Sequence, residues 1–224
     1  MTGPKDLILN LHSYSNKNKQ KSILSQLTDI KDEEIIKNII SLFDDDNIKI
    51  RGEVFSILCL NENDISEILI DSLTSKSKNI RAFCSLILAN RNDTNGINHI
   101  IKLTNDSSSM VRSCVLGALG YLRASNAMKE IHLGIFDSDV EVKKSAAHAL
   151  SLLSEKLSIE EKTELEKQDD PDFGKILKKI IEMVDRKGFE PLTSPMPWAH
   201  PTRLNDRPIS NIQNETDFVK CTNI

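Results

Sequence analysis

Aromatic residues make up only 4% of this 224-residue chain, and tryptophan occurs once. A broad aromatic platform for stacking nucleobases is therefore missing. The eight glycines are scattered, and neither GxGxxG nor GxxxxGK[ST] occurs, so the glycine-lined backbone cradle for nucleotide phosphates is absent. The four cysteines, Cys59, Cys84, Cys114 and Cys221, include no CxxC pair, and a disulfide framework or zinc site lacks its spacing. The five histidines, His12, His99, His132, His148 and His200, form no HExxH, HxH or HxxxH pattern, and none is followed by Glu. No GxSxG elbow is present. As a calcium loop, DDDNIKIRGE fails at its sixth position, which holds Lys49 instead of Gly.

Neither charge sign dominates, with 29 basic residues against 33 acidic and a net charge of −4. The basic clusters KNKQK at 17–21 and KSK at 76–78 alternate with acidic stretches, which argues against a nucleic-acid face. No apolar run approaches the ~18 residues of a membrane span, and MTGPKDLILN has no cationic region before an apolar stretch. Hydrophobic residues at 39% still suffice for a packed core. These features predict a soluble cytoplasmic protein with no metal, no cofactor and no catalytic residues, and no membrane association.

What the chain does contain is an internal period. Four segments align without gaps on a basic residue: Arg51, Arg81, Arg112 and Lys143. One position before it stand Ile50, Ile80, Val111 and Val142, and three after it Val54, Cys84, Val115 and Ala146. Six after come Ile57, Ile87, Ala118 and Ala149, and seven after Leu58, Leu88, Leu119 and Leu150. Offsets −1, +3, +6 and +7 form one stripe on an α-helix. A shorter apolar segment precedes each: EEIIKNIISLF, SEILIDSLT, GINHIIKLT and AMKEIHLGIF. Each unit thus reads as a helical hairpin with its turn written in Asp, Asn and Ser. One hairpin cannot bury its own stripe, so the units must stack into a solenoid. Six positions before each basic residue lie Asp45, Ser75, Asp106 and Asp137. A carboxylate there can cap the second helix and accept from a basic side chain of a neighbouring unit.

This register resembles the HEAT-repeat family, in particular its short phycobilisome-lyase-like variety, across roughly residues 33 to 154. The resemblance implies an all-α, right-handed solenoid of about six helical hairpins. It also implies a polar ladder of Asp45, Arg51, Arg81, Asp106, Arg112, Asp137 and Lys143, weakened at Ser75. The solenoid is expected over residues 4–184, with 4–30 and 157–184 as degenerate capping units. Ile23, Leu24 and Leu27 carry the stripe of the first cap; Asp169 and Lys175 keep the six-residue spacing in the last, where Lys178 interrupts the stripe.

After Asp185 the composition changes, with five of the seven prolines and Trp198 in the remaining stretch. Residues 185–224 are expected to be a disordered tail. Two readings of it stand: a docking peptide anchored by Trp198, or a gene-boundary artefact. GFEPLTSPMPWAHPTRLNDRP resembles a translated transfer-RNA gene segment.

With catalytic motifs absent, binding surface remains. On the second helices, offsets +1, +5, +8 and +9 lie opposite the core stripe. They bring Ser56, Leu60, Leu86, Asn90, Gly117, Tyr121, His148 and Leu152 onto one side, between small residues such as Gly52, Ala82, Ser113 and Gly120. The resemblance puts second helices on the concave side of the superhelix. Two readings stand: a groove for a helix or extended segment of a protein partner, or packing against the neighbouring hairpin. The function expected is a non-catalytic interaction scaffold or adaptor. The alternative from the family is a subunit of a bilin lyase or isomerase complex. Partner identity and oligomeric state are not written in the sequence.

Overall fold

The computed structural model describes residues 3–11, 17–167, 174 and 178. Among them are eleven α-helices: α1 (Pro4–Leu11), α2 (Lys17–Thr28), α3 (Glu33–Ser41), α4 (Ile48–Leu60), α5 (Ser66–Ser72), α6 (Lys78–Asn90), α7 (Ile97–Lys102), α8 (Ser109–Tyr121), α9 (Met128–Gly134), α10 (Val140–Leu152) and α11 (Ile159–Glu166). No strand occurs among the described residues. The helices pair in order as hairpins, and the hairpins stack into an α-solenoid in which α6, α8 and α10 lie side by side. The tail beyond Asp185, the cap residues Asp169 and Lys175, and His12, Trp198, His200 and Cys221 lie outside the described residues.

The second helices α4, α6, α8 and α10 are each 13 residues long. The first helices α3, α5, α7 and α9 have only 9, 7, 6 and 7. Residues 42–44 and 103–105 tighten the ends of α3 and α7 into 3₁₀ turns, while 94–96 and 125–127 do so before α7 and α9. Helices this short are not stable alone, so they are held by the second helices that they cover. The stripe at −1, +3, +6 and +7 is buried in every unit except at Ile80, which is half-buried. Burying these aliphatic side chains stabilises the stack by about 1.5–3 kcal/mol each for the larger ones.

Both ends of the second helices are fixed by local chemistry. The N-caps are Asn47, Ser77, Ser108 and Asp139, four positions before the basic residue. The residues six before it do not cap the helix, contrary to expectation. Asp45, Asp106 and Asp137 instead accept from the backbone N–H two residues on, at 2.9 Å each. They close the turn that leads into the cap. At the other end, Asn92, Arg123 and Ser154 take φ of 53°, 50° and 59°. The following N–H of Asp93, Ala124 and Glu155 returns to Leu88, Leu119 and Leu150 at 2.9–3.0 Å. This is a left-handed helix stop built three times without glycine.

Helix α8 approaches α10 closely because its contact face is small. A Cβ placed on Gly120 would lie 2.6 Å from the Ala149 Cα and 2.7 Å from its Cβ. Ser113 meets Ser145 with hydroxyl oxygens 2.7 Å apart. Helix α4 meets α6 differently. Phe83 stacks on Phe43 at 4.7 Å and meets Phe55 edge-on at 6.4 Å, so rings fill that junction. Gly120→Ala should therefore force α8 and α10 apart and cost about 1–3 kcal/mol. A thermal unfolding midpoint equal to that of the wild type would refute the close contact.

Candidate partner-binding face

The N-terminal ends of the second helices carry a chain of charge pairs. Arg81 grips Asp106 of the next unit with two parallel bonds, Nε to Oδ2 at 2.7 Å and Nη2 to Oδ1 at 2.8 Å. Arg112 repeats the arrangement on Asp137 at the same distances. Each guanidinium also donates backwards from Nη1 to a turn carbonyl of its own unit, Ser75 at 2.8 Å and Asp106 at 2.9 Å. One arginine thus ties its own turn to the turn that follows. Bidentate geometry makes these stronger than ordinary surface pairs.

The remaining members have other partners. Arg51 donates to the Asp45 carbonyl at 2.6 Å, while the Asp45 carboxylate takes Lys5 of α1 at 2.5 Å. Lys143 is buried and reaches Glu164 of α11 at 2.5 Å. The chain of pairs is therefore continuous from Arg81 to Asp137 and improvised at both ends. A hydrogen bond from Arg112 holds the Asp137 carboxyl below its ordinary value. Burial pushes Asp106 upward more than any one contact pulls it down, but the bonds from Arg81 and the Ser108 N–H, with the charges of Arg81 and Arg112, together outweigh it and the net shift is down.

On the second helices, the face left open is rotated from the one expected. Offsets +1 and +8 turn into the contacts between neighbouring helices: Ala82, Ala89, Ser113, Gly120 and Ser151 are buried. The open strip follows offsets −2, +5 and +9, which share one side at about 100° per residue. It carries Lys49, Ser56 and Leu60 on α4, Asn79 and Asn90 on α6, and Met110, Gly117 and Tyr121 on α8. Glu141, His148 and Leu152 continue it on α10. Leu86 belongs to the same row but is only 5% exposed, because α6 is buried continuously from Ala82 to Ala89. It is a packing residue, not a contact for a partner. The −2 residues were missed, although their angle on the helix equals that of +5 and +9 to within a few tens of degrees.

The strip is nearly free of ionic groups where α6 and α8 form it. Charges return only at its ends, with Lys49 on α4 and the Glu141–Lys144 pair at 2.7 Å on α10. His148 is exposed. A Cβ on Gly117 would meet nothing within 4 Å, so the middle of the strip is bare backbone open to an approaching group. Elsewhere, Leu133 and Phe136 at the end of α9 are 59% and 51% exposed, and Ile159 at the start of α11 is 85% exposed.

Reactive groups are few. Cys84 and Cys114 are buried and Cys59 half-buried, all free thiols. Burial pushes the Cys84 thiol up to about 12, which leaves it protonated and inert. His132 bonds Glu161 at 2.5 Å, fastening α11 to α9. No group of three potential metal ligands occurs among the described residues. No described helix is long and apolar enough to cross a membrane.

No family model and no curated protein matches the sequence. Among solved structures, an engineered protein is similar with a TM-score of 0.48 and 15% identity, covering 83% of this chain and 99% of its own. A designed armadillo repeat protein in complex with the peptide (KR)4 gives 0.47 and 14%, covering 82% and 100%. A computationally designed armadillo repeat protein for modular peptide recognition gives 0.48 and 15%, covering 80% and 98%.

The lowered carboxyl values of Asp106 and Asp137 fix the sign of a pH effect. Their contribution is full above the unfolded carboxyl value of ~4 and is lost as pH falls through the lower folded value. Arg112→Ala should cost about 2 kcal/mol at pH 7, since it strips a carboxylate that is largely buried. It should also flatten the fall in unfolding midpoint as pH drops below about 4. Parallel acid melting curves for variant and wild type would show that the pair contributes nothing.

Proposed function

We propose that this protein is a non-catalytic interaction scaffold that receives a segment of a protein partner along the open strip of its second helices. A HEAT-type solenoid over residues 4–184, acting in the cytoplasm with the remaining chain as an appendage, is the setting we propose for it. The observation that carries the reading is the composition of the strip over α6, α8 and α10. Met110, Tyr121 and Leu152 offer apolar area, and Gly117 lets a partner backbone come close. Asn79 and Asn90 supply polar contacts without fixed charge. An ionised partner side chain placed at the middle would lose water without gaining a counter-charge. The strip therefore suits an uncharged, largely apolar segment. The scaffold function needs no reactive group of its own, and binding would rest on a few central residues.

Affinity capture from native lysate with the full chain tests this, beside Gly117→Arg and His148→Asp. Both positions point outward, so the fold should survive either change. A partner retained by the wild type and bound at least about tenfold more weakly by both variants is the expected result. Equal retention by all three would move the binding surface off this strip. Leu86 is unsuitable for the purpose, because a charge there would unfold α6.

A further inference from the structure

Two arginines in the repeat hold a carboxylate of the next unit, and one does not. Arg81 and Arg112 each place Nε and Nη2 on an Asp 25 residues on. In the register of Arg51 the corresponding residue is Ser75. The local geometry there is the same as in the sister units. Ser75 Oγ accepts from the Ser77 N–H at 3.2 Å, as Asp106 and Asp137 accept from Ser108 and Asp139. Its carbonyl accepts from Arg81, as that of Asp106 accepts from Arg112. Among the described residues, the one acceptor for the Arg51 guanidinium is the Asp45 carbonyl through Nη1. That is the backward bond made by all three arginines. The two turns are also adjacent, since Asp44 Oδ1 accepts from Ser77 Oγ at 2.5 Å and from Asn79 at 3.0 Å.

We infer that Arg51 and the Ser75 turn form a binding site for a small oxyanion of the carboxylate or phosphate class. The anion would take the place that the Asp side chain occupies in the sister units. The fork of an arginine matches two oxygens of such a ligand. The Ser75 hydroxyl adds a donor once it is free to turn. Lys49, Lys76 and Lys78 are exposed around the turn and favour a negative ligand. Asp44, Asp45 and Asp46 oppose it, Asp44 with one oxygen already committed to Ser77 and Asn79, and Asp45, which feels the charge of Arg51, with its carboxylate paired to Lys5. Binding would tie α4 to α6 at the junction where the Arg–Asp chain is interrupted.

The test is thermal unfolding of the full chain in sodium phosphate against sodium chloride at equal ionic strength. Wild type, Arg51→Gln and Ser75→Asp are compared, because phosphate stabilises most proteins by exclusion and only the difference between variants reports the site. At ten times Kd, wild type should gain about 3 to 6 °C beyond the gain of Arg51→Gln. Ser75→Asp should unfold higher than wild type in chloride and gain no more from phosphate than Arg51→Gln does. The same gain in wild type and Ser75→Asp would overturn the site, as would no gain in wild type. Should Arg51→Gln fail to fold, the comparison of wild type with Ser75→Asp decides alone.

Discussion

The close approach of neighbouring second helices is the constraint on which the rest of this structure depends. Between α8 and α10 that approach exists because Gly120 and Ser113 present almost no side chain to Ala149 and Ser145. Once the axes are that near, the turn of one unit comes within reach of the arginine of the unit before it. The bidentate Arg81–Asp106 and Arg112–Asp137 bonds are thus consequences of packing as much as causes of order. Because each arginine grips both oxygens, these pairs are worth more than a single-toothed surface pair, which is worth little. Small residues set the distance; arginines lock the angle.

The same constraint explains which parts of the fold were legible in the sequence. The stripe at −1, +3, +6 and +7 was readable because it packs inside its own hairpin and against the adjacent unit in every repeat. Burial there depends on helix period alone. The open face was harder to read. Opposition to the stripe suggested +1, +5, +8 and +9, yet a second helix in a stack has neighbours on two flanks as well as beneath it. Helix α8 turns Ser113 and Gly120 toward α10, and only the narrow sector between its two flanks stays open. Small residues such as Ala82 and Gly120 were the available signal. In a helix that must lie against another helix, a small side chain marks contact before it marks exposure. Leu86, with Ala82 and Ala89 buried on the same helix, falls to the same rule.

Turn chemistry was legible in kind but not in place. Asp, Asn and Ser announced a capped turn, and the carboxylate six positions before the arginine was the expected cap. The chain instead divides the work. Asp106 shapes the turn and holds Arg81, while Ser108 two residues later stands at the helix start. One carboxylate can do both of its tasks because its Oδ1 accepts from the Ser108 N–H as well as from Arg81 Nη2, while Oδ2 takes Arg81 Nε. The helix stops at Asn92, Arg123 and Ser154 gave no glycine to find, since the chain tolerates left-handed backbone there without one.

The junction between α4 and α6 shows what happens when the constraint is relaxed. Phe43, Phe55 and Phe83 fill the space that small residues keep closed between α8 and α10. In the same unit boundary the register supplies Ser75 instead of Asp, and Arg51 keeps only its backward bond. Other contacts carry the load: Asp44 reaches Ser77 and Asn79 at one end. At the other, Arg91 donates to the carbonyls of Leu58, Asn61 and Asn63. The two helices are therefore pinned at both ends around an aromatic centre, whereas α8 and α10 touch along their length. A stack joined in these two ways is not uniform along its axis. The α8–α10 contact rests on small residues, and the α4–α6 contact on rings and loop hydrogen bonds.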